Sequence, residues 1–312
     1  MRSLAALSLA LLLQAAHAAE TPKDCPPTAQ APTAEQMQQA RAAAKDRGAL
    51  WRLSKDGRSS YLYGTVHVGR MAWAFPGPQL QKALKSTEVV AVEIDLSSPT
   101  LGQEMQAAQQ RAAALVLTPA EQQRLDAQAD AACLPRGALA GFHPVMQAIT
   151  YVSLAGRRDG LDPAFAQEGM LLGTAKALQR SVVSLESVAS QMALLLPQDA
   201  QQARWLLRNN LDALESAESR GSLLRLSSAW ERGDLAALSD PAKLCACTPS
   251  AEELDFYRRL NDERNPHLAQ RIAEEHGKGR PVLAAVGLLH MTGAQALPKL
   301  LAGQGFKVER LH

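Results

Sequence analysis

The sequence predicts an α/β (α+β) fold in which a central mixed β-sheet is flanked by helices and carries a helical insertion. Strand patterns occur near both ends of the chain, and helical patterns fill most of the stretch between them. Strands separated by helices in this way indicate one sheet with helices packed around it. We expect a single domain over residues 49–312, with the insertion at about residues 100–180.

The first 18 residues have the features of a secretory signal peptide. A basic start precedes the apolar run of residues 4–13, and Ala16-His17-Ala18 provides the small residues of a cleavage site. This run is shorter than the roughly 20 residues of a membrane-spanning helix. We therefore expect a periplasmic or secreted protein that begins near Ala19 and is not stably inserted in a membrane. A retained anchor is the alternative.

The next segment predicts a tether, a helix and a β-hairpin. Residues 19–48 are rich in Ala, Gln, Pro and Thr, and residues 35–45 among them have a helical pattern. The following stretch, "LWRLSKDGRSSYLYG", predicts strands at 50–53 and 60–63 that are joined by a turn at 55–57.

The rest of the chain predicts four further strands and a series of helices. Residues 89–95 form a strand whose continuous apolar start indicates burial on both faces. Thr118, Pro119 and Glu121 have the spacing of a helix start with a capping box. The predicted strands are 89–95, 181–186, 281–286 and 306–311, and the predicted helices are 78–86, 101–129 with helical signals to 178, 188–230 with a break near Pro197, 254–259, 268–276 and 293–301.

Charge and motifs exclude several functional classes. The formal net charge is +2, and this near-balance argues against nucleic-acid partners and acidic membrane surfaces. The sequence has no Gly-x-Ser-x-Gly elbow, no His-Glu-x-x-His, no phosphate-binding glycine-rich loop and no dinucleotide fingerprint.

The four cysteines are Cys25, Cys133, Cys245 and Cys247. An even number in an exported protein favours two disulfides. Cys245 and Cys247 are too close in sequence to bridge each other easily, so we expect one of them to hold Cys25 and the other Cys133. A metal site built on the Cys-x-Cys pair is the alternative.

Two Gly-x-x-His motifs, Gly64 to His67 and Gly287 to His290, each follow an apolar strand. A strand that leaves a sheet often needs a backbone geometry that glycine adopts at low cost. Ligand sites of α/β sheets lie beyond the strand ends, and imidazoles are common metal ligands and proton carriers. We expect both histidines to converge in loops beyond the sheet, where truncation would remove a ligand but little packing.

Carboxylates occupy similar positions. Glu93 and Asp95 end one strand and Glu186 ends another, and a buried acid at such a place needs a partner. The alternative for each of them alone is a solvated strand end. Two histidines and two glutamates at strand ends favour a metal site, and mixed His and carboxylate ligands suit Zn, Mn, Co or Fe(II).

Two positions outside the strands carry further expectations. Arg264 could bind a substrate carboxylate or orient Glu93 or Glu186, with a surface salt bridge as the alternative. His276 closes a helix, where a cation interacts favourably with the helix carbonyls.

Several stretches together resemble the TraB/GumN/PrgY family, which includes the Tiki-type metalloproteases. The stretches are "SYLYGTVHVG", "VVAVEID", "SLESVASQMALL", "ERNPHLAQRI" and "AAVGLLHMTGAQALPKLLAGQGFKVERL". The resemblance implies a fold akin to the erythromycin-esterase-like and ChaN-like proteins. It also implies divalent-metal-dependent peptide cleavage, with His67, Glu93 and His290 as the metal ligands. Glu186 and Gln191 match the "LE…Q" stretch of the family, and Arg264-Asn265 matches its "RN" pair.

Two functions are therefore predicted. The first is an exported divalent-metal-dependent hydrolase that acts on peptides and binds Mn, Co or Zn, with Glu186 as general base and Arg264 stabilising charge on the substrate or the transition state. The alternative is a non-catalytic periplasmic protein that sequesters a peptide, haem or a metal ion. Both take a peptide or a small molecule as ligand, and the sequence predicts no oligomeric state.

Overall fold

The computed structural model describes residues 25–312, so the predicted signal peptide and the start of the tether lie outside the described residues. A six-stranded sheet forms the centre of the fold. Its strands are β1 (Ala49–Lys55), β2 (Arg58–Thr65), β3 (Val89–Val92), β4 (Ser181–Ser184), β5 (Val282–Gly287) and β6 (Lys307–Arg310).

Helices surround this sheet and fill the middle of the chain. They are α1 (Ala34–Ala42), α2 (Pro78–Ser86), α3 (Leu101–Arg111), α4 (Pro119–Ala131), α5 (Pro144–Leu154), α6 (Gln167–Ala177), α7 (Val188–Leu195), α8 (Ala200–Glu215), α9 (Glu218–Glu231), α10 (Leu235–Leu238), α11 (Pro241–Cys245), α12 (Ala251–Leu260), α13 (Asn265–Gly277) and α14 (Leu297–Gly303). Short 3₁₀ turns occur at Met71–Trp73, Arg157–Asp159, Pro163–Phe165 and Leu288–Met291. None of the helices among residues 25–312 is long and apolar enough to cross a membrane.

The sheet is mixed, as the sequence predicts, and its strand order is β4-β3-β5-β2-β1-β6. β3 pairs in parallel with β4 and β5, and β5 pairs in parallel with β2. β1 is antiparallel to both β2 and β6. The carboxyl ends of β2, β3, β4 and β5 therefore lie at one end of the sheet, where ligand sites of such folds are found.

The hairpin of β1 and β2 is confirmed, and both strands are longer than predicted. Asp56 and Gly57 connect them with φ angles of 50° and 72°. Two consecutive residues with positive φ are typical of the tight turn that matches the twist of a hairpin. The Asp-Gly pair thus fixes the register that brings Thr65 to the carboxyl end of the sheet.

Two predicted segments end earlier than the apolar pattern suggests. β3 stops at Val92 because the chain turns away: Asp95 N–H donates to Ser184 Oγ at 2.9 Å, and the Asp95 carboxylate accepts from Ser97. The predicted helical region 188–230 is three helices. Besides the break near Pro197, the chain turns at Ala217, whose φ of 59° ends α8.

Two large hydrophobic cores and a small cluster between α3 and α7 hold the fold together. The larger one lies between the sheet and its helices and includes the fully buried strand β3. The second joins α4, α5 and α8 through Leu125, Val145 and Leu207. The helical insertion therefore has apolar contacts of its own and does not depend on the sheet alone.

The prediction of the disulfide pairing is wrong. Cys25 is bonded to Cys133, which ties the N-terminal segment to the end of α4, and Cys245 is bonded to Cys247. The short bridge forms because Ala246 adopts a left-handed conformation with φ of 55°. The chain then folds back so that the two cysteine Cα atoms are 5.1 Å apart, within the usual range for a disulfide.

His276 lies in the last turn of α13 as expected, but its side chain bonds to β1 and β2 and not to the carbonyls of its own helix. Its side chain is buried at 1% exposure, and its Nδ1 lies 2.8 Å from Ser60 Oγ. Ser60 Oγ also accepts from Val282 N–H, which leaves its own hydrogen available to the imidazole. His276 Nε2 lies 3.2 Å from the Lys55 carbonyl oxygen. These partners suit a neutral ring, and burial favours that form because it lowers the pKa of His276.

We predict that His276→Gln lowers the free energy of unfolding by roughly 1–3 kcal/mol near pH 7.5, because buried partners lose their hydrogen bonds. The difference from the wild type should shrink as the pH falls. The folded pKa of His276 is lowered, so its contribution is present above the unfolded value of about 6.5 and is lost on further acidification. Urea unfolding at several pH values measures this, and a difference that is constant between pH 7.5 and 5 would contradict the neutral buried ring.

Candidate functional site

The five predicted site residues all lie at the carboxyl end of the sheet. Glu93 and Glu186 directly follow the paired strands β3 and β4, and Glu186 N–H donates to the Glu93 carbonyl oxygen at 3.0 Å. His67 follows β2, and His290 lies in the turn Leu288–Met291 after β5. Arg264 is brought to them by the start of α13. The parallel pairing of four strands thus assembles residues that are far apart in sequence.

Gly287 is the point on which three of these side chains converge. A Cβ atom at this residue would lie 3.2 Å from Glu93 Oε1, 3.7 Å from His67 Nε2 and 3.7 Å from His290 Cδ2. The two imidazoles are therefore close together, as expected. We call the space above Gly287, bounded by these three side chains, the Gly287 cradle.

The explanation of both glycines by backbone conformation is wrong, because neither Gly64 nor Gly287 has a positive φ. A Cβ at Gly64 would lie 2.1 Å from Leu288 Cδ1, so this glycine makes room for the turn that carries His290. Gly287 makes room for the functional groups themselves. Close packing, rather than the freedom of the backbone, requires glycine at these two positions.

The Arg264 guanidinium is the centre of the charge network. Its Nη2 donates to Glu93 Oε2 at 2.6 Å and also to Glu186 Oε2, and its Nε donates to Glu186 Oε1 at 3.0 Å. Its Nη1 donates to the Leu260 carbonyl oxygen at 2.9 Å and lies 3.2 Å from His290 Nε2. The alternative of a surface salt bridge does not apply, since all three charged side chains are nearly buried.

Glu93 is held as a carboxylate inside the protein. Its Oε1 accepts from Gly287 N–H at 2.7 Å, and its Oε2 accepts from Gln191 at 2.8 Å as well as from Arg264. Burial raises the pKa of Glu93, but positive charge at His290, His67 and Arg264 and the Gly287 N–H outweigh it and lower the pKa to about 2. Arg264 is the permanent charge among these neighbours.

His290 lies in the turn beyond β5 as expected but is buried at 3% exposure, so the expectation that its truncation would remove little packing is wrong. Its Nδ1 lies 2.6 Å from Asn265 Oδ1. The Asn265 amide nitrogen donates to the carbonyl oxygens of His290 and Gln295, which leaves Oδ1 as the acceptor. His290 therefore carries its proton on Nδ1 and its lone pair on Nε2. Burial lowers the pKa of His290 to about 4, so the ring is neutral near pH 7.

His67 is oriented in a similar way but is 72% exposed. Its Nδ1 lies 3.1 Å from Oε1 of Glu168, whose side chain is only 13% exposed. This carboxylate raises the pKa of His67 and fixes Nδ1 as the donor, so Nε2 faces the Gly287 cradle. Glu168 lies in the first turn of α6, and no local motif in the sequence marks it as part of the site.

The donor atoms are of types that suit a divalent cation, and the rings of both histidines face the same space. Both histidines have Nδ1 held by an acceptor, as metal-binding histidines commonly do, and Glu93 adds a carboxylate. The spacing is wider than a bound ion requires: among residues 25–312, no three donor atoms of this group lie within 4.8 Å of one another. Arg264 lies between Glu93 and His290, so an ion bound to both of them needs the guanidinium to move aside.

Comparison with known proteins gives one result. The model of the TraB/PrgY/gumN family matches residues 49–310, which is most of the chain. No curated protein and no solved structure matches the sequence or the fold.

We predict that Arg264→Met lowers the free energy of unfolding by about 3–5 kcal/mol, because it leaves buried carboxylates without their cation. Urea unfolding at pH 7.5 measures the loss. Arg258→Met is the matched control, since Arg258 pairs with Asp255 and Glu263 at the surface and should change stability far less. Adding Glu186→Gln to Arg264→Met should restore part of the loss, and equal effects of the two single variants would contradict the buried network.

Proposed function

Because the chain belongs to the TraB/PrgY/gumN family, we propose that it is an exported divalent-metal-dependent hydrolase that acts on peptides. The Gly287 cradle is the observation that carries this proposal, since two imidazoles and a carboxylate border one space at the end of the sheet. Export is supported by two disulfides, which persist in oxidising compartments.

Local charge also favours a cation at this place. Glu93 and Glu186 carry two negative charges against the single positive charge of Arg264, and Glu168 adds a third carboxylate beside His67. Glu168 also raises the pKa of His67 to about 9, so His67 and Arg264 together offset two of the three carboxylates and the site keeps a single excess negative charge near neutral pH. A divalent ion would offset this excess, and Mn²⁺, Co²⁺ and Zn²⁺ all accept mixed imidazole and carboxylate ligands.

His67 Nε2, Glu93 and His290 Nε2 would hold the ion. When bound, it would supply Lewis-acid polarisation of a peptide carbonyl and a more acidic water. Glu186 is the nearby carboxylate that can accept the proton of this water: both its oxygens receive hydrogen bonds from Arg264, and each keeps a further acceptor position.

Arg264 would have a second role once Glu93 and His290 bind the ion. Its Nη1 and Nη2 would then release these partners while Nε keeps its hydrogen bond to Glu186. The freed N–H groups could donate to the oxygen of the carbonyl as negative charge develops on it, and a fixed cation is effective in such a position. This role follows from the fork shape of the guanidinium, which can hold a carboxylate and a substrate oxygen together.

A non-catalytic protein that sequesters a peptide, haem or a metal ion is the second candidate. The position of Arg264 favours it, because the guanidinium already pairs with the buried carboxylates and fills the centre of the network. The two candidates differ in whether a bound peptide is cleaved.

We predict that His67→Ala weakens binding of Mn²⁺, Co²⁺ or Zn²⁺ by roughly 10–100-fold and abolishes metal-dependent cleavage of a peptide library, with a modest fall in melting temperature because Glu168 loses its partner. His67 is mostly exposed, so its removal costs little packing. Isothermal titration of the chelator-treated protein measures the affinity. His267→Ala, an exposed histidine on α13, is the control and should behave like the wild type. Unchanged cleavage by His67→Ala would remove this histidine from the site.

Glu186→Gln separates the two candidate functions. The amide keeps the shape of the side chain but is a poor proton acceptor, so turnover should fall by about 10²–10⁴-fold while the affinity for the ion stays nearly unchanged. Cleavage rates and ion titrations on the same preparation test this. A wild-type protein that binds peptides but cleaves none of them with Mn²⁺, Co²⁺ or Zn²⁺ would support the binding protein instead.

A further inference from the structure

The bridge between Cys245 and Cys247 lies outside the network at the end of the sheet. It follows the short helix α11 and faces the first turn of α9. The two cysteines are separated by two positions in sequence, whereas Cys25 and Cys133 are separated by 108. A disulfide that closes so short a loop restricts the unfolded chain very little. Its reduction should therefore leave the fold intact.

The backbone around the two cysteines has contacts other than the disulfide. Ala246 is left-handed, and Cys247 N–H donates to the Ala242 carbonyl oxygen at 3.2 Å and lies 3.1 Å from Cys245 Sγ. Arg225 of α9 donates to the carbonyl oxygens of Leu244 and Cys245, at 2.6 Å each. These contacts fix the cysteine segment against α9, so the two thiols would stay close together after reduction.

Glu218 completes a set of three possible ligands. A carboxylate oxygen of Glu218 and the two cysteine sulfurs all lie within 4.8 Å of one another. Within residues 25–312, no other group of three His, Cys, Asp or Glu donors lies so close together. Donor atoms bound to one zinc ion are separated by about 4 Å or less, given bonds of roughly 2.0–2.3 Å. After reduction, rotation of the side chains would separate the two sulfurs from their bonded distance and bring the three donors to this spacing.

We propose that Cys245, Cys247 and Glu218 form a redox-gated site for a thiophilic divalent cation such as Zn²⁺. In the oxidised protein the sulfurs are bonded to each other and bind no ion. Reduction exposes two thiolates and a carboxylate, which is a ligand set that suits zinc with water in the fourth position. The site needs none of the residues of the proposed hydrolase and stands independently of that function.

The reduction requires a dithiol. One thiolate of the dithiol attacks a cysteine sulfur and forms a mixed disulfide, and its second thiolate then displaces that cysteine. The dithiol leaves as a cyclic disulfide, and the cysteine pair gains two electrons and two protons. Binding of Zn²⁺ releases these two protons, since the thiolates are the ligands.

Cobalt substitution tests the site in the full-length mature protein. The protein is reduced with dithiothreitol, the reductant is removed without air, and Co²⁺ is added. One Co²⁺ per chain should give a near-ultraviolet sulfur-to-cobalt charge-transfer band, which Zn²⁺ abolishes. Because the Gly287 cradle has no sulfur ligand, an ion bound there does not produce this band. The unreduced protein should show none.

Three variants decide the assignment. Cys245→Ser/Cys247→Ser should lose the band, whereas Cys25→Ser/Cys133→Ser should keep it. Glu218→Gln should weaken Co²⁺ binding on the order of tenfold or more, a loss of about 1.4 kcal/mol. The proposal is overturned if the reduced wild type gives no band, if the band depends on Cys25 and Cys133, or if Glu218→Gln binds Co²⁺ as tightly as the wild type does.

Discussion

The buried guanidinium of Arg264 is the interaction on which the rest of the site depends. It joins residues that follow three different strands, because it donates to Glu93 and Glu186 and lies beside His290. Two carboxylates cannot share a nearly buried place without a cation, since the desolvation of each is costly. Arg264 therefore stabilises the carboxyl end of the sheet. Its single positive charge offsets one of the two negative charges of Glu93 and Glu186. The same contact stabilises the fold and leaves negative charge at the place where we propose that a second cation binds.

The topology of the sheet explains why these residues meet. Four neighbouring strands run in parallel, so the residues that follow them gather at one end. A parallel sheet also buries its strands on both faces, which is why β3 is entirely apolar until Glu93. The sharp change from apolar to charged residues in the sequence marks the position at which the chain leaves the core. The site is formed by the residues that follow the strand ends, and the start of α13 borders it on one side.

Much of this arrangement could be predicted from sequence, because strand ends are marked by local composition. The two Gly-x-x-His motifs and the acids after β3 and β4 identified four of the residues directly. Glu168 could not be found, since its role depends on how α6 packs and not on its neighbours in sequence. The bridge of Cys245 to Cys247 was missed because a left-handed alanine has no sequence signal of the kind that glycine gives. The same limit hid the break at Ala217, which ends α8 without glycine or proline.

The two histidines of the site are alike in sequence and different in setting. His290 is buried and held by the neutral amide of Asn265, whereas His67 is exposed and held by the carboxylate of Glu168. A carboxylate partner makes an imidazole more basic and a stronger ligand than an amide does. Because His67 is mostly exposed and His290 is buried, the Gly287 cradle is open to solvent on the side of His67. A ligand entering from solvent would meet His67 first, and the buried pair of His290 and Arg264 lies on the opposite side of the cradle.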